Sequence, residues 1–99
     1  AWAELRHEID ASTARLVARA RRHLSWLRSR EEQLRTLPAE RIVEARAITR
    51  ATDERVRGEV QSAVAELNRL VERYEVAVPV ASLQMPRFSA ERIFELARR

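Results

Sequence analysis

Cysteine and lysine are both absent from these 99 residues. Without a thiol there is no disulfide, no thiolate nucleophile and no cysteine-based metal site, although this absence does not fix a compartment. All 19 basic residues are arginine, a bias that a GC-rich coding sequence explains without selection for the guanidinium fork. Glycine occurs once, at Gly58, which leaves no glycine-rich phosphate loop. The longest apolar run, Val76 to Ala81, contains Pro79 and falls well short of the roughly 20 residues that cross a bilayer. Nothing reads as a signal peptide. These absences predict a soluble protein, placed provisionally in the cytoplasm.

The composition that remains is rich in Ala, Leu, Glu and Arg, with 45% apolar and 34% charged residues, and it points to an all-α fold in a single helical domain over residues 1–99. A start at Ala1 without an initiator methionine suggests a piece of a larger protein.

Two helical patterns meet at Pro38. Proline lacks the backbone N–H and pushes the preceding residue out of the helical region, so Leu37 should leave the first helix, while Glu40 suits the positive end of the second. The boundaries expected are a helix over 2–36, a turn at 37–38, a helix over 39–75, an extended strap over 76–88 and a short helix over 90–98. So short a connection favours an antiparallel two-helix hairpin, with Leu24–Leu34 facing Ile42–Thr52 and Trp2–Ile9 facing Leu67–Tyr74.

In the first helix Trp2, Leu5, Ile9, Leu16, Ala20, Leu24, Leu27 and Leu34 fall on one face. Leu5, Leu16 and Leu27 recur every eleven residues, as do Trp2, Thr13 and Leu24, which specifies a nearly straight or slightly right-handed stripe rather than a left-handed supercoil. Ser12, Thr13 and His23 weaken it. His23 reads as a half-buried histidine at a helix boundary, with a pH switch or a metal ligand as the sharper alternatives; His7 lies sixteen residues away and no cysteine completes a set. In the second helix Val56, Val60, Ala63, Leu67, Leu70 and Tyr74 step by fours and threes, a coiled-coil-like seam that Val64 and Val71 widen. Gly58 is either a tolerated flaw or the mark of a close helix crossing or bend.

Pro79 and Pro86 with alternating apolar residues make the following strap extended. Ser89 is a good N-cap for the last helix, Glu91 suits its first turn, and Phe88 with Ile93 forms a hydrophobic staple.

The excess positive charge is local. Residues 1–10 set Arg6 against Glu4, Glu8 and Asp10; residues 11–30 hold Arg15, Arg19, Arg21, Arg22, Arg28 and Arg30 with no acid; residues 31–99 carry twelve charges of each sign. With Trp26 these six arginines form a candidate anion or nucleic-acid patch, against the plainer reading that they pair with Glu31, Glu32, Glu40 and Glu44 near the turn or with acids of a second copy. No metal spacing, nucleophile elbow or cofactor motif accompanies them, and Glu31 and Glu32 do not share a helix face.

The sequence therefore predicts a non-enzymatic helical interaction module for self-association or scaffolding, binding no cofactor or metal. Its candidate interface is Leu5, Ile9, Leu16, Leu24, Leu27, Val56, Val60, Ala63, Leu67, Leu70, Tyr74, Phe88, Ile93 and Phe94, and its partner is a protein, foremost a second copy in a dimer. The alternative is a nucleic-acid-binding module that uses residues 11–30.

Overall fold

The computed structural model describes residues 2–78, 80 and 85–99. They form three helices, α1 (Trp2–Leu34), α2 (Ala39–Ala77) and α3 (Ala90–Ala97), and no strand occurs among the described residues. The molecule is a rod of 61 × 21 × 17 Å.

The corner at Pro38 is built by local hydrogen bonds. Thr36 donates to the Gln33 carbonyl through both its amide (3.1 Å) and its hydroxyl (2.8 Å), and the Leu37 amide reaches the Leu34 carbonyl at 3.4 Å. These bonds satisfy carbonyls that a helix end leaves unpaired, and they stop α1 two residues before the expected Thr36. Pro38, with φ −58° and ψ 147°, stands as the N-cap of α2 and accepts from the Arg41 amide at 3.0 Å. The contacts beyond it pair early residues with late ones: Arg30 with Thr49, His23 with Asp53, Arg19 with Glu59 and Trp2 with Tyr74. That descending order is antiparallel, so the chain reverses at Pro38 rather than kinking through it.

The other boundaries differ from expectation at two points. Val76 and Ala77 belong to α2, which ends only where Val78, the residue before Pro79, takes φ −74° and ψ 123°. The Val78 amide still reaches the Tyr74 carbonyl at 2.9 Å. Helix α3 ends at Ala97, with Arg98 as its C-cap. Of the expected strap, Pro79 and residues 81–84 lie outside the described residues.

The buried positions of α1 are Ile9, Leu16, Ala20, His23 and Leu34. Ile9, Leu16 and His23 are spaced by seven, as are Thr13, Ala20, Leu27 and Leu34, of which Thr13 and Leu27 are half-buried. The most deeply covered residues thus follow a seven-residue series rather than the eleven-residue one. On α2 the buried residues are Thr49, Val60, Val64, Leu67, Val71 and Tyr74, where two adjacent stripes run side by side. One stripe meets α1, and Ile93, Phe94 and Ala97 of α3 join the same core.

Two devices hold α3 in place. Ser89, in extended conformation, accepts the Arg92 amide on its hydroxyl at 3.1 Å. Asn68 of α2 grips the backbone of Phe88 with both ends of its amide, donating to the carbonyl at 2.9 Å and accepting from the N–H at 2.8 Å. Within the Val60–Tyr74 stretch, Val60, Val64, Leu67, Val71 and Tyr74 are buried inside the chain, while Ala63 and Leu70 stay half-buried.

Gly58 is exposed, and a Cβ built on it meets nothing within 4 Å, so it marks no close helix crossing. Gly58→Ala should stabilise the fold by about 1 kcal/mol through helix propensity alone, read as a higher urea midpoint with an unchanged slope.

Candidate interaction surfaces

Where the three helices meet, a polar node interrupts the apolar core. His23 of α1 is buried, mid-helix rather than at a boundary, and its Nε2 lies 2.7 Å from Asp53 Oδ1 on α2. Arg57, one turn on, donates to the same oxygen at 2.9 Å. The guanidinium of Arg57 then lies over the Phe94 ring, 4.4 Å from its centroid, while the His23 ring stacks on Trp26 and meets Phe94 edge-on. Burial raises the Asp53 pKa, but the hydrogen bonds from His23 and Arg57, reinforced by their charge, win, and the carboxylate is held below its ordinary range. The His23 side chain is 5% exposed, with Asp53, Trp26 and Phe94 packed around it.

The seven residues of the candidate anion patch do not form one surface. Residues two apart on an α-helix project ~200° from each other. Arg21 sits against the end of α3, with its Nε donating to the Ala97 carbonyl at 3.3 Å, so Arg19 points to the far side, where it pairs with Glu59. Arg15, Arg19 and Arg22 line one groove, and Arg21 and Arg28 line another. Trp26 is 39% exposed on the Arg19 side of the helix. Arg30 turns inward and donates to the Thr49 hydroxyl at 3.2 Å and to Gln33 at 3.3 Å. Among the described residues the patch makes no ion pair with Glu31, Glu32, Glu40 or Glu44; its acid partner is Glu59, which Arg55 also holds at 3.0 Å.

Of the candidate interface, Ile9, Leu16, Val60, Leu67, Tyr74, Ile93 and Phe94 are buried within the chain. Leu5, Leu24, Val56, Ala63, Leu70 and Phe88 pack half-buried against that core, and Leu27 is half-buried near the turn. The same ~200° offset shows what remains uncovered. Arg57 and Asn68 mark the side of α2 that faces α3, so Glu59 and Glu66, each two residues away, project from the opposite side. There a groove of about 390 Å³ runs between α1 and α2, with Leu16, Ala63 and Leu67 along its floor, Arg15, Arg19 and Arg22 on the α1 edge and Glu66 on the α2 edge.

Asp53, Arg57, Glu59, Glu66 and Asn68 escape a reading by apolar residues. The detectable signal for Asp53 is its place in the series Thr49, Asp53, Val56, Val60, whose steps are 4, 3 and 4. No helix among the described residues is long and apolar enough to cross a membrane, and no group of three or more His, Asp or Glu residues there suits a metal ion. No protein-family model, curated protein or solved structure matches the chain.

Because the Asp53 pKa is depressed by folding, its contribution is present above the ordinary carboxylate range and is lost as pH falls through the folded value. Asp53→Asn should cost about 1–3 kcal/mol at neutral pH. In urea titrations the gap between variant and parent should close below the carboxylate range; a gap independent of pH would assign the loss to packing.

Proposed function

We propose that the chain is a non-enzymatic helical protein–protein interaction module that self-associates through the face of the α1–α2 pair opposite α3. The observation that carries this reading is the groove with arginines on one edge and a glutamate on the other. Such an edge pattern is self-complementary. A two-fold axis parallel to the rod lays α1 of one copy over α2 of its partner, so the basic edge meets the acidic edge in both halves of an isologous contact. The heights agree as well: Arg19 stands level with Glu59, which places Glu66 near Ser12 and within a turn of Arg15. Val56, Ala63 and Leu70, spaced by seven and half-buried, supply the apolar part of the contact. The long pair gains on this face the layer that α3 supplies on the other, and a coiled-coil-like four-helix core results.

A nucleic-acid interface built on residues 11–30 is the second reading, favoured by the exposed Trp26 beside Arg22. The division of the arginines between two sides of α1 leaves it a shorter basic stripe, and it requires binding that weakens steeply with salt.

A charge exchange tests the self-association. Analytical ultracentrifugation should give a dimer for the parent chain, while Arg15→Glu and Glu66→Arg alone each weaken the dimer at least tenfold, because each sets like charges together. Mixing the two variants should restore a heterodimer, since both edges are then complementary again. A folded parent chain that stays monomeric at millimolar concentration would overturn the reading.

A further inference from the structure

On the other side of α1, a groove of about 490 Å³ separates that helix from the end of α3, and it is lined by Arg21, Leu24, Ser25, Arg28, Ala97 and Arg98. We propose that this groove is a binding site for a phosphate-type dianion, with Arg21, Arg28 and Arg98 as its cationic walls and the Ser25 hydroxyl at its centre.

The spacing on α1 makes the site. Arg21, Ser25 and Arg28 stand at i, i+4 and i+7, one row along the helix, and all three line the groove. The backbone positions of the two arginines are about 10.5 Å apart along the axis, a gap that long side chains close around a group the size of a phosphate. Arg98, the C-cap of α3, brings the third guanidinium from the opposite wall.

Three features favour a dianion over a lone carboxylate. No carboxylate lines the groove, so its charge is uncompensated from within. The Nε of Arg21 is committed to the Ala97 carbonyl, which fixes the side chain in place and leaves its remaining N–H donors for a ligand. The last carbonyls of α3, whose negative end would repel an anion, already have donors: Phe94 and Glu95 accept from the Arg98 amide, Leu96 from the Arg99 amide and Ala97 from Arg21. Arginine forks bind phosphate oxygens bidentately, and three forks with one hydroxyl exceed what a single carboxylate satisfies.

Phosphate of this kind arrives either on a soluble molecule or on a lipid headgroup, and the experiment separates the two. Isothermal titration of the full chain with inorganic phosphate, as the dianion, at low ionic strength should give saturable one-to-one binding that weakens with added salt. Arg28→Gln/Arg98→Gln should reduce the affinity at least tenfold with an unchanged thermal midpoint, since both side chains are exposed. Arg69→Gln/Arg73→Gln, an equal loss of charge on exposed α2 positions, should leave binding intact. Co-sedimentation with vesicles containing phosphatidic acid, lost only in the Arg28/Arg98 variant and seen without binding of free phosphate, would assign the same site to a lipid phosphate. Absence of both kinds of binding, or equal losses in the two double variants, would overturn the proposal.

Discussion

The hydrogen bond between His23 and Asp53 is the constraint that the rest of the structure depends on. Two long amphipathic helices can slide past one another by a turn at modest cost when their seam is uniformly apolar, because each register buries a similar stripe. A polar pair at the seam opposes that freedom, since a shift leaves the buried His23 imidazole without its partner. Asp53 also holds Arg57, and Arg57 covers the Phe94 ring, so the position of α3 is tied to the register of the pair beneath it. One carboxylate oxygen thus links all three helices.

That link explains why a short helix suffices to complete the core. Eight residues have little intrinsic tendency to stay helical in water, and α3 has only Ile93, Phe94 and Ala97 to bury. Its entry is fixed by Asn68, which pairs with the Phe88 backbone much as a neighbouring strand would, and its exit by Arg21 on the Ala97 carbonyl. Between these two anchors Ile93, Phe94 and Ala97 join the core shared by α1 and α2 already oriented, so less of the burial energy is lost to ordering. Arg87 adds exposed pairs with Glu72 and Glu75 at the entry, of a kind that contributes little to stability.

Features that rest on local chemistry were the ones legible in the sequence. Pro38 announces the end of one helix and the start of the next, and Ser89 announces α3, because each acts within a few residues of itself. The seam of α1 was legible only in part. Its seven-residue series passes through Thr13 and His23, and the spacing of the larger apolar residues instead favours eleven, as in Leu5, Leu16 and Leu27 or Trp2, Thr13 and Leu24. These polar residues are tolerated for reasons that lie outside a linear reading: Thr13 returns its hydroxyl to the Ile9 carbonyl at 2.8 Å, and His23 finds its acceptor thirty residues away. Likewise the arginines of residues 11–30 look like one patch when counted along the chain, whereas a helix sorts residues by angle.

The same sorting gives α1 its division of labour. Ile9, Leu16, Ala20 and His23 face the interior, Arg15, Arg19 and Arg22 edge one groove, and Arg21, Ser25 and Arg28 edge another. Neighbours such as Arg21 and Arg22 therefore act on different surfaces, although any count of charge treats them as one cluster. The local excess of positive charge then has a structural consequence: α2 offers Glu59 and Glu66 to only one edge, while the edge beside α3 meets Arg98 instead of an acid. On the first side residues of opposite charge line one groove, and on the second Arg21, Arg28 and Arg98 line another without an acid. The ~200° between residues two apart on a helix is what sends Arg19 and Arg21 to different sides of α1.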